Sequence, residues 1–149
     1  MRIILAALAA ILVTLPAAAE DFRTIKSKYS VKDTIDRLSE TLEKKGIRVM
    51  ARVDHAAGAK SAGLDLKPTE LLIFGNPKLG TPLMQTNRMI ALDLPMKVLA
   101  WEDDNGEVHV AYTTPAALAK RHGVKGRDEI VATMTNALAG LTAAAAGAN

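Results

Sequence analysis

The chain has 149 residues, 49% of them hydrophobic and 3% aromatic, no cysteine, and a formal net charge of +3. That length holds one domain with at most short appendages, and the missing cysteine excludes disulfide bridges and thiolate-held metal centres. The charge is small and evenly spread, with no basic stripe interleaved with aromatics, so nucleic acid is not an expected partner.

Residues 1–19 read MRIILAALAAILVTLPAAA. Arg2 is a short positive start, Ile3 to Leu15 is an apolar run broken by Thr14, Pro16 ends it, and Ala17-Ala18-Ala19 suits signal peptidase. This pattern predicts a secretory signal peptide cleaved after Ala19 and a periplasmic or secreted protein. The run is too short to cross a ~30 Å hydrocarbon core as a helix. Residues 20–149 contain no other long apolar run, so no membrane span is expected after cleavage. The mature chain, about 130 residues, is long enough to fold on its own core.

Phe22 to Tyr29 is expected as a first strand. Ser30 then caps a helix with Asp33 three residues on, and Val31, Ile35, Leu38 and Leu42 repeat at helical spacing up to the stop at Gly46. Ile47 to Val53 alternates, which predicts a strand with Ile47, Val49, Ala51 and Val53 on one face and Arg48, Met50 and Arg52 on the other. Met50 there faces a groove or a dimer contact. Asp54 caps a short turn from His55 to Lys60, broken by Gly63. Leu71 to Phe74 is a buried strand, and a helix expected to run to about Met89 starts either at Gly75-Asn76-Pro77 or at Thr81-Pro82. Met96 to Glu102 and Glu107 to Thr113 flank the hairpin signal Asn105-Gly106. Thr114-Pro115 opens a short helix, and a last one runs from about Arg127 to Leu141, with the alanine-rich Thr142–Asn149 expected to fray.

These elements do not alternate strictly. They predict an α+β two-layer sandwich, a mainly antiparallel sheet of about five strands with helices on one face, spanning residues 20–149 as a single domain.

Several segments together resemble the bacterial and archaeal domain of unknown function 302. They are Thr34 with its helix to Gly46, Ala51-Arg52-Val53-Asp54-His55 with Ala59 and Gly63, and Leu71 through Lys78. Gly80-Thr81-Pro82-Leu83-Met84, Ala91-Leu92-Asp93-Leu94-Pro95 and Trp101-Glu102-Asp103 complete the match. The resemblance implies a two-layer α/β fold usually found as a dimer, and no established activity.

Two places carry candidate chemistry. His55, beside Asp54 at the start of a short helix, offers a general acid/base or a polar ligand contact. Gly75, Asn76 and Lys78 join a buried strand end to a helix start, where free backbone N–H groups and a nearby cation favour an anion or a carbonyl. A ligand is expected where these two turns approach each other. His109 and His122 are expected at the surface, no histidine pair has metal-binding spacing, and no metal or cofactor is expected. Met50, Met84, Met89, Met96 and Met134 are soft donors of the kind copper(I) takes, but their wide spacing favours gap-filling in the core. Trp101 belongs to the core, a pocket or a subunit contact. The function expected is binding of a small ligand or a partner protein by an exported homodimer. One alternative is a small hydrolase- or isomerase-type enzyme with His55 as general acid/base and Asn76 as a polarising donor, and another is a purely structural assembly module with a broad apolar contact surface and no enclosed pocket.

Overall fold

A computed structural model describes residues 21–148, and the leader read at residues 1–19 lies outside them. In chain order the elements are β1 (Phe22–Ser27), α1 (Val31–Lys44), β2 (Arg48–Asp54), α2 (His55–Ser61), β3 (Thr69–Gly75) and α3 (Pro77–Thr86). A short 3-10 segment (Arg88–Leu92), β4 (Met96–Glu102), β5 (Val108–Thr113), α4 (Pro115–Arg121) and α5 (Asp128–Ala146) follow. The strands form one antiparallel sheet in the order β1-β5-β4-β3-β2. Helices pack against it, so the fold is the expected α+β sandwich.

Local chemistry starts and stops the helices. The Ser30 hydroxyl oxygen accepts from the Asp33 N–H at 3.1 Å, and its own O–H lies 2.8 Å from the Asp33 carboxylate. Val31, Thr34, Ile35, Leu38 and Leu42 form the buried stripe of α1. Each of its fully buried Ile and Leu side chains contributes about 1.5–3 kcal/mol. Gly46 ends the helix with φ +65°, a conformation that favours glycine. Asp54, Asn76 and Thr114 each accept a backbone N–H of the following helix, and proline fills the first position of α3 and α4. Asp103 accepts from the Asn105 and Glu107 N–H groups, and Gly106 takes φ +79° to close the β4–β5 hairpin.

The inner face of the sheet carries Leu72 and Phe74, Met96, Val98 and Ala100, and Val108, Val110 and Tyr112. These residues meet α1 and α5 in one core. The outer face presents Leu71, Ile73, Leu99, Trp101 and Ala111, all half-buried.

Three expectations need correction. First, β2 does not alternate throughout. Val49 pairs with Phe74 but Ala51 pairs with Ile73, so a bulge at Met50 turns Ala51 and Val53 to the outer face. Arg52 consequently lies on the helix side, opposite Leu72. Its guanidinium holds Asp36 of α1 and, at 2.6 Å, the buried Glu70. Hydrogen bonds from Lys32 and Arg52 keep the Asp36 carboxyl below its usual range. Second, α3 ends at Thr86 instead of Met89. Third, the last helix continues to Ala146. Thr142, Ala145 and Ala146 are buried, and Arg37 donates to the Ala144 and Ala145 carbonyls. No helix of the described residues is long and apolar enough to cross a membrane.

Candidate functional site

One end of the sheet opens into a cavity of about 400 Å³ between β2, β3 and β4, the helix α5 and the overlying α3. Its wall is built from local sequence choices. β3 ends on Gly75, and a Cβ added there would stand 3.2 Å from the Pro95 Cβ. Glycine thus lets the Leu94-Pro95 loop lie against the strand end. One turn into α3, Gly80 faces Leu94 and Met84 with room for an ordinary contact. From α5 come Met134, Ala137, Leu138 and Leu141, at i, i+3, i+4 and i+7 on one helical face. β2 adds Met50, placed there by the bulge, and Ile47 precedes it.

The wall is apolar. Four thioethers, Met50, Met84, Met96 and Met134, share it with Phe74, Leu79 and Leu94. Among the lining residues Asn76 and Thr81 carry the polar side chains, and none carries a charge. Asn76 is committed at one end, because its Oδ1 accepts from the Lys78 N–H at 3.0 Å.

The Leu94-Pro95 wall is tied from behind. Asp93 accepts from Arg121 at 3.2 Å and meets the His122 Nε2 at 2.6 Å. The His122 hydrogen bond, then burial in opposition, then Arg121 set its carboxyl below the ordinary range. The Lys97 ammonium donates to the Asp93 and Pro95 carbonyls at 3.0 and 3.1 Å. The Asn87 amide donates to the His122 carbonyl at 2.7 Å, which joins the end of α4 to the same corner.

Of the four residues singled out from sequence, Gly75 and Asn76 line the cavity. Lys78 is exposed on α3 and does not line it. His55 is exposed beyond the other end of β2. The register pairs Arg48 with Gly75 and Asp54 with Glu70. Those ends are five residues apart along β3, roughly 17 Å at strand rise. The two turns therefore do not approach each other, and His55 cannot act on a molecule held by Asn76. His109 and His122 are not surface histidines. The His109 ring stacks on Trp101, centroids 5.2 Å apart, and lies 2.9 Å from Asp103, while the His122 side chain is 10% exposed. Asp103, Glu107 and His109 bring three ligand-type atoms within 4.8 Å, with Lys26 already on Glu107 at 2.6 Å.

Sequence reading missed the convergence of the methionines. Wide spacing hid it, since the four come from β2, α3, β4 and α5. Met89, the fifth considered, is 59% exposed and stands apart.

Comparison with known proteins gives three findings. The model of the family "Domain of unknown function DUF302" matches residues 23–141. Curated relatives are named fluoride-specific ion channel FluC 1 of Brucella suis biovar 1 (strain 1330) and fluoride-specific ion channel FluC 2 of Brucella melitensis biotype 1. Both are 48% identical over 125 residues, which is 83% of this chain and 49% and 46% of theirs. The chain thus spans about half the length of the curated relatives it matches. A crystal structure of an uncharacterized conserved DUF302 protein from Bacillus stearothermophilus has the same fold. It aligns with TM-score 0.76 at 23% identity, over 85% of this chain and 99% of that one.

Proposed function

The chain belongs to the DUF302 family, and on that premise we propose that it is a binding protein for an uncharged, mainly apolar small molecule held in the cavity under α3. One observation carries this reading: the cavity is of ligand size and lined without a single charged side chain. A charged ligand would lose its hydration there without gaining a partner. The Asp93 ties give the wall a fixed shape before any ligand arrives, which lowers the ordering cost of binding.

We further propose that the protein works outside the cytoplasm, after cleavage at Ala19, as a homodimer. The leader pattern supports export. The half-buried apolar outer face of the sheet around Trp101 supports a second copy.

The test uses N-phenyl-1-naphthylamine, an uncharged dye that fluoresces in apolar surroundings. The protein is expected to enhance its emission with micromolar affinity. Ala137→Trp, at an exposed lining position, is expected to block the cavity and abolish the enhancement with the fold intact. Enhancement unchanged in that variant overturns the reading.

A second reading rests on the relatives' length. Proteins named as fluoride channels join a similar segment to a comparable length of further chain, so this chain acts beside a membrane protein of that kind. Deleting its gene should then lower fluoride tolerance, and unchanged tolerance removes this reading.

A further inference from the structure

The cavity wall also says what kind of apolar molecule it suits, an inference that rests on the binding reading above. We infer that the ligand is an uncharged aromatic compound bearing a hydrogen-bond acceptor, such as an aryl ketone, with Asn76 as the residue that selects for the acceptor.

Three observations converge. No lining side chain is charged, which selects against ionised ligands. Four thioethers from four separate elements face one space with Phe74. Thioether sulfur is polarisable and makes favourable contacts with aromatic rings, which an aliphatic chain of equal area does not return. The third observation concerns the Asn76 amide. Its oxygen is taken by the Lys78 N–H, and that cap fixes which end of the amide is which. The group left over is the Nδ2 NH2 of the amide, a donor with no protein partner among the described residues; Asn76 is exposed at the rim of the cavity, so this donor is open to water until a ligand covers it. A donor at the edge of an apolar space favours a ligand that brings an acceptor, because a ligand lacking one displaces water and returns nothing. The Thr81 hydroxyl, also on the wall, can donate or accept and so does not discriminate.

The test compares three probes of similar size. Benzophenone has both features, 1,1-diphenylethylene replaces the C=O by C=CH2, and dicyclohexyl ketone keeps the carbonyl without the rings. Binding is read by NMR of protein carrying 13C-methyl methionine, so that Met50, Met84, Met96 and Met134 report from the cavity and Met89 serves as the outside control. Benzophenone is expected to bind about three- to tenfold more tightly than the alkene, the range one hydrogen bond supplies, and more tightly than dicyclohexyl ketone by a similar factor from the thioether–ring contacts. Asn76→Asp keeps an N-cap of equal quality and removes the NH2 group. It should erase the ketone-over-alkene preference and leave the ligand-free methionine spectrum in place.

Equal affinity for ketone and alkene in the unaltered protein overturns the inference, as does a preference that survives Asn76→Asp. Equal affinity for dicyclohexyl ketone overturns its aromatic part. If N-phenyl-1-naphthylamine shifts the four methyls and neither aromatic probe does, this inference fails while the binding reading stands. If the dye shifts none of them, both fail.

Discussion

Single residues show how closely the chain is fitted at its end. Gly147 has φ +68°, and a Cβ there would meet the Tyr29 ring at 2.8 Å. Tyr29 is itself held under the Arg37 guanidinium, 4.2 Å from its ring centroid. Gly147→Ala should therefore cost about 2 kcal/mol, from the left-handed backbone and the clash together. Gly140, in the middle of α5 with open space around its Cα, is the opposite case. Gly140→Ala should stabilise the protein by about 1 kcal/mol, the difference in helix propensity. Urea unfolding of the two variants checks both signs. Arg52 illustrates what letters alone hide. In the sequence it reads as a solvent-facing member of an alternating strand. In the fold it compensates the buried Glu70, because the extra residue at Met50 moves it to the helix side.

At the scale of elements, most boundaries were legible because each has a local cause. Ser30, Asp54, Asn76 and Thr114 all cap the helices that they were read to cap, and Gly106 makes the hairpin. What failed depended on neighbours distant in sequence. The end of α5 reads as fraying because alanine offers little apolar area, yet small side chains let α1 approach and bury Ala145 and Ala146. Half of the candidate site, Gly75 and Asn76, was visible as a strand end followed by a cap. The rest was set by strand register, which sent His55 to the far end. The Asp93 corner gives a prediction in pH. Its carboxyl is acidified in the folded state, chiefly by the His122 hydrogen bond and further by Arg121. It therefore adds stability above its unfolded pKa, about 3.9, and loses that contribution as pH falls through its lower folded value. Asp93→Asn should lower stability by roughly 1 kcal/mol at pH 7, and the gap to the unaltered protein should be narrower at pH 3. Chemical denaturation at the two pH values measures it, and a gap that widens in acid would contradict the assignment.

Over the whole molecule, the two ends of the described residues meet. β1 pairs with β5, and the Lys28 N–H donates to the Ala146 carbonyl at 2.9 Å. Removing residues 142–149 deletes the buried Thr142, Ala145 and Ala146 and the carbonyls that Arg37 holds. A chain ending at Leu141 should lose about 3 kcal/mol of stability, visible as a clear drop in the thermal midpoint. An unchanged midpoint would show that the tail is not part of the core. The same closure has a consequence in time. The cavity wall takes Met50 from the first half of the chain and Met134, Leu138 and Leu141 from its last turns. A nascent chain still lacking its final helix has no such enclosure, however complete its sheet. Enclosure of this space is thus completed only once the last helix has docked on the sheet.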